Sequence, residues 1–209
     1  MSPDDWMQKL DLSAKYPRLW RRGESWVIYC ADYLPGEVFA ELDLCIAWQQ
    51  DAIKIFGRSI PLPRLTAWYG DPGASYAYSG IWNEAKPWID SLSELRLRLN
   101  DDLGVKFNSV LANRYADGTH HQGYHADDEK ELGTDPLIAS LSFGATRRFL
   151  VKSRMKGDHA GETTKFDLES GSLLLMGGAL QREYLHAIGK TKKPLGPRIN
   201  LTFRSILLP

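Results

Sequence analysis

From residue 107 onward the chain breaks into short apolar stretches separated by turn residues: FNSVLANRY, LIASLSF, RRFLVK, TTKFDL, SLLLMGG, REYLHAI and RINLTFRSIL. Helical patterns occur only ahead of this run. That order argues against a doubly wound parallel sheet, in which helices alternate with strands. It predicts an α+β fold: a double-sheet sandwich or jelly roll, the double-stranded β-helix, with the early helices packed on one sheet.

Three segments follow. Residues 1–25 mix proline, charge and tryptophan and are expected to form a loosely packed arm. Residues 26–106 hold two helices and a set of hairpins. SWVIYC reads as a strand at their start, and PGEVFAELDLCIAW sets Val38, Leu42, Cys45 and Ile46 at helical spacing behind Pro35. KPWIDSLSELRLRLNDDLG predicts a second helix closed by Gly104. The stretch between them, IFGRSIPLPRLTAWYGDPGASYAYSG, reads as hairpins and loops with exposed rings. Residues 107–209 form the jelly-roll core, and a chain of 209 residues fits one compact domain overall.

The 26 Lys plus Arg balance 26 Asp plus Glu, so any pull toward nucleic acid or an anionic membrane must come from local patches. Cys30 and Cys45 each have apolar neighbours, which suits buried free thiols in a reducing compartment. The first residues lack the basic start and apolar core of a signal peptide, and no apolar run approaches the ~18 residues of a membrane span. A soluble, cytosolic, monomeric protein is expected, with no membrane partner.

The stretch YHADDEKELG puts His125 and Asp127 two residues apart. In an extended segment their side chains share a side and can grip one ion, although an acidic run alone is more often a solvated surface. His120 and His121 sit in a glycine-flanked loop, and His159 in a turn-like stretch. His186 lies among apolar residues in YLHAI, where it is either a core histidine or a third ligand. RINLTFR alternates cleanly, with Arg198, Asn200, Thr202 and Arg204 on one face and Ile199, Leu201 and Phe203 on the other. A buried arginine needs a carboxylate or phosphate. Two on one face can hold the ends of a dicarboxylic acid, or pair with protein acids such as Asp167 or Glu183. In NRYADG, Asn113 and Tyr115 share one side of a strand and can hydrogen-bond a carboxylate.

Taken in order, NRYADG, HADDE, PLIASLSFGATRRF, GSLLLMGG, the histidine of YLHAI and PRINLTFR resemble the AlkB-like Fe(II)- and 2-oxoglutarate-dependent dioxygenases, over roughly residues 55 to 206. The likeness is to the branch that repairs alkylated DNA. It implies that His125, Asp127 and His186 ligate Fe(II), and that Asn113, Tyr115, Arg198, Asn200 and Arg204 hold 2-oxoglutarate. Arg198 would take the distal carboxylate, and Arg204 would lie near the carboxylate that chelates iron. With O2 as the further cosubstrate, the implied reaction removes N-methyl groups from bases such as 1-methyladenine and 3-methylcytosine in DNA, and in RNA, releasing formaldehyde, succinate and CO2.

Substrate contacts follow from the same resemblance. Tyr76 and Tyr78 lie where the family keeps base-contacting aromatics, and Asp128 and Glu129 where it has acids near the exocyclic nitrogen. Phe56 matches a residue that enters the base stack in duplex-repairing members, and Lys192 and Lys193 match a loop touching duplex phosphates. Basic residues also cluster in ATRRFLVKSRMK and GKTKKPLGPR, as phosphate contacts or as solvated strand edges. Two other readings remain: a 2-oxoglutarate oxygenase acting on protein side chains or a small metabolite, and a non-catalytic nucleic-acid binding module. The cytoplasm, or the nucleus in a eukaryote, is the expected location.

Overall fold

The strand pattern after residue 107 closes into two facing antiparallel sheets. The computed structural model describes residues 2–11, 17–55, 58–74, 76–78, 81–156 and 160–207. Strands are numbered along the chain. The larger sheet runs in the order β1 (Arg18–Arg22), β2 (Ser25–Cys30), β13 (Ser172–Gly178), β10 (Ile138–Gly144), β15 (Arg198–Arg204), β8 (Ser109–Tyr115) and β5 (Leu65–Gly70). The smaller runs β12 (Thr163–Leu168), β11 (Arg147–Ser153), β14 (Tyr184–Ile188) and β9 (Gln122–His125). Two hairpins stand apart from both, β3 (Ala52–Ile55) with β4 (Arg58–Pro61), and β6 (Tyr76–Tyr78) with β7 (Ile81–Asn83).

Apart from its end strand β1, the larger sheet is buried on both faces, each for its own reason. Its outer face, which includes Ile28, Val110, Leu141, Leu175, Leu201 and Phe203, packs in one cluster with α1 (Pro3–Asp11), α2 (Phe39–Cys45) and α3 (Asp90–Leu103). Each such side chain taken fully from water contributes about 1.5–3 kcal/mol. Its inner face meets the smaller sheet through Val27, Tyr29, Leu174, Phe149, Val151 and Ile188. The α+β jelly roll with helices on one sheet is therefore the fold observed. Because side chains alternate along a strand, the polar residues of β15 must face inward if its apolar ones face the helices. That alternation places the site inside the sandwich.

Gly104 closes α3 in the left-handed conformation (φ 65°), as its position predicts. The Lys9 ammonium donates to the Leu103 carbonyl at 2.9 Å, tying α1 to this helix end.

Four expectations need correction. The described residues among the first 25 are not a loose arm: α1 buries Trp6 and Leu10, and β1 pairs along β2. Cys45 is exposed, not buried, because α2 turns its other side to the core; Cys30 is buried as expected. Trp68 and Tyr69 do not lie in a loop with exposed rings, since their segment is β5, the buried strand at one end of the larger sheet. REYLHAI is not all strand, because its start belongs to the short helix α4 (Leu180–Glu183).

Candidate metal and cosubstrate site

β14 and β9 pair so that His186 lies opposite His125, with ring centroids 4.2 Å apart. Asp127 follows β9 by two residues and turns into the sandwich. The three offer ligand atoms within 4.8 Å of one another. Asp127 is held at two points: its backbone N–H donates to Gln181 Oε1 at 3.0 Å, and its Oδ2 accepts from Arg204 Nη2 at 2.8 Å. Its Oδ1 is buried and accepts no hydrogen bond.

The electrostatics suit a cation. Burial, helped by the neighbouring His125, pushes the His186 imidazole down to about 3, and burial also lowers His125. Burial opposes ionisation of Asp127, but Arg204, His186 and His125 outweigh it and hold the carboxyl at about 2. Both imidazoles are therefore neutral, and the aspartate charged, at neutral pH. Two neutral nitrogens and one carboxylate oxygen, with Oδ1 unsatisfied, form a donor set that fits a divalent iron with open positions.

Beside the triad runs the polar face of β15. Its register sets Arg198 opposite Tyr115 and Asn200 opposite Asn113. All four sequence-expected cosubstrate residues of these pairs are buried and line one cavity with the triad and Arg204. Arg198 donates to Ser142 Oγ at 2.9 Å and lies 5.3 Å from the Tyr115 ring centroid. Its Nε and Nη1 have no hydrogen-bond partner, and burial pulls its pKa down to about 10. A buried guanidinium with two unused donors is a seat for a carboxylate. Asp167 and Glu183, the protein acids considered for these arginines, bind Arg148 and Ser25 instead. The cavity holds about 30 Å³. Gln122 lines it, accepting from the Tyr115 hydroxyl at 3.2 Å and lying 2.9 Å from His125 Nε2.

The substrate-side residues divide. Glu129 is partly buried, with an unpartnered Oε2, and burial together with the Asp127 charge pushes it up to about 7. Asp128 points outward to Arg154, 3.2 Å away. Lys192 and Lys193 are exposed on the loop after β14, apart from the triad. The backbone of Tyr76 and Tyr78 is in the β6–β7 hairpin. Phe56 and His159 lie outside the described residues.

The basic cluster beginning at Arg147 is less available than its sequence suggested. Arg147 is buried and donates to the carbonyls of Asp117, His120 and Gly189, so it supports the fold. Arg148 pairs with Asp167, and Arg154 binds Asp128 and two α4 carbonyls. Sequence reasoning missed Gln181, which holds Asp127, and Arg64, whose Nε donates to Asn113 Oδ1 at 2.7 Å. No local pattern marks either one.

A buried two-imidazole, one-carboxylate centre inside a jelly roll, flanked by an arginine-bearing polar strand, defines a non-haem iron oxygenase. Residues 36–204 match the model of the 2OG-Fe(II) oxygenase superfamily, and the chain belongs to that superfamily. Fe(II) and 2-oxoglutarate are accordingly its metal and cosubstrate. The chain is 41% identical over 178 residues to the bovine (Bos taurus) DNA oxidative demethylase ALKBH2, covering 82% of this chain and 64% of that protein. To human (Homo sapiens) ALKBH2 it is 40% identical over 182 residues, covering 82% and 69%. To the mouse (Mus musculus) alpha-ketoglutarate-dependent dioxygenase alkB homolog 3 it is 42% identical over 152 residues, covering 70% and 52%. The solved structure of OsALKBH1 superposes with a TM-score of 0.56 at 19% identity, over 90% of this chain and 100% of that one, and so shares the fold.

Proposed function

We propose that this chain is an oxidative demethylase of N-alkylated bases in DNA, with RNA as a further substrate. The observation that carries the oxidative chemistry is the continuity of triad and polar strand: Arg204 touches Asp127 at one end, and Arg198 stands at the other with Nε and Nη1 unsatisfied. The substrate class rests on the ALKBH2 relatives, which match across 82% of this chain.

In this reading His125, Asp127 and His186 hold Fe(II), and Arg204 and Gln181 fix the carboxylate that binds it. Arg198 receives the distal carboxylate of 2-oxoglutarate, with Asn113, Tyr115 and Asn200 lining its length. When bound, iron and 2-oxoglutarate supply the O2-dependent oxidation of an N-methyl group. The protein's part is to orient the methyl group and exclude other targets. Tyr76 and Tyr78 flank the extruded base, and Glu129 accepts from an exocyclic amine, favouring cationic lesions such as 1-methyladenine and 3-methylcytosine. Phe56 and the Lys192–Lys193 loop serve duplex substrates.

Succinate and formaldehyde release are measured with methylated oligonucleotides, single- and double-stranded, beside methylated peptides. Formaldehyde in step with succinate on the oligonucleotides is expected. Coupled turnover on the peptides alone would overturn the substrate class.

A further inference from the structure

A chain with equal numbers of acidic and basic residues gathers unpaired cations along one flank, away from the triad. Two hollows there share Asp167 and Glu169 as a common wall. One, of about 560 Å³, lies between the Lys190–Lys193 loop and β11; the other, of about 360 Å³, lies between β12 and β1. They adjoin at Asp167 and Glu169, so that a shallow trough can be traced across both, from the 190s loop to the far edge of the sandwich. Lys190, Lys193, Lys165 and Arg18 line it, and none has a carboxylate within 4 Å among the described residues. Of the two acids in the shared wall, Asp167 is engaged by Arg148 through two hydrogen bonds and also feels Lys193, so the cations still outnumber the acids.

The far end adds rings. Trp20 and Phe166 line the second hollow and are partly exposed. Trp20 is fixed edge-on against Tyr184 with centroids 5.3 Å apart, and the Arg18 guanidinium lies 5.0 Å from the Tyr29 ring centroid. Cations along a recessed track, interleaved with flat apolar side chains, are what a single nucleic-acid strand requires: phosphates meet the cations and bases stack on the rings. A flat anionic lipid surface would reach only the rim of such a trough. β1 and β12 are the end strands of their sheets.

We infer that this trough is a second nucleic-acid contact surface, which binds the strand flanking the lesion with its phosphates on Lys193, Lys190, Lys165 and Arg18 and its bases against Phe166 and Trp20. The inference rests on the nucleic-acid reading above and extends it to sequence the catalytic pocket never touches. It makes affinity depend on strand length as well as on the lesion.

The test is fluorescence anisotropy of the full chain with undamaged oligothymidylates, one short and one several times longer, across a salt series. The wild type gains affinity with length. In Arg18→Ala with Lys165→Ala that gain is lost, and the slope of log affinity against log salt falls by about 1.4, at about 0.7 per single-strand contact removed. Because Arg18 also packs on Tyr29, Lys190→Ala with Lys193→Ala is measured in parallel and loses the gain in the same way. Full length dependence and an unchanged slope in both variants would overturn the trough while leaving the demethylase reading intact. Failure of the wild type to bind any oligonucleotide would overturn both.

Discussion

Asp127 is gripped at its backbone by Gln181 and at one carboxylate oxygen by Arg204, which leaves the other oxygen aimed at the two imidazoles. Removing a ligand and removing a positioning group should therefore read differently. His186→Ala or Asp127→Ala is expected to abolish both metal retention and turnover; undiminished iron content in either variant would refute the ligand assignment. Gln181→Ala is expected to weaken Co(II) binding about 10–100-fold, the usual loss when a group behind a metal ligand is removed. A Co(II) titration at unchanged melting temperature separates that from unfolding. Arg198 has two unused donors in a buried cavity, so Arg198→Ala should raise the 2-oxoglutarate KM strongly with a smaller change in kcat. An unchanged KM would mean that the guanidinium serves the fold through Ser142.

At the scale of elements, β15 carries two functions on opposite faces, and the faces can be damaged separately. Leu201 is fully buried against the helices, so Leu201→Ala should cost ~2–5 kcal/mol in urea unfolding while leaving the 2-oxoglutarate KM of the folded fraction intact. A raised KM would show that the faces are coupled. The alternation of RINLTFR was legible in the sequence because a period of two is written locally; TTKFDL and SLLLMGG, read as short runs between turn residues, coincide with β12 and β13. The triad was legible through spacing and resemblance. What local pattern cannot encode is which elements meet. Gln181 reaches Asp127 from α4 across 54 positions, Arg64 reaches Asn113 from the loop before β5, and Arg147 is drawn inward by three loop carbonyls. Alternation with Phe149 and Val151 sets Arg147 on the inward face, but nothing in ATRRF says which carbonyls it meets there.

Over the whole molecule, charge balance conceals a division of labour: one flank is cationic, the interior holds the oxidising centre, and two hairpins stand outside both sheets. In the proposed function the first hairpin bears on substrate choice. β3 ends at Ile55 and β4 begins at Arg58, so Phe56 and Gly57 are all that joins them. A base drawn from a duplex leaves a gap whose lost stacking an apolar side chain can partly replace, whereas a single strand has no gap to fill. Phe56→Ala should accordingly depress repair of a methylated duplex far more than repair of the same lesion in a single strand. Lys192→Ala with Lys193→Ala should weaken duplex binding and reduce its salt slope by about 1.8, at about 0.9 per phosphate contact in B-form DNA. Equal losses on single and double strands in the Phe56 variant would place that residue in support of the fold. An unaltered duplex salt slope in the lysine variant would move the phosphate contacts off this loop.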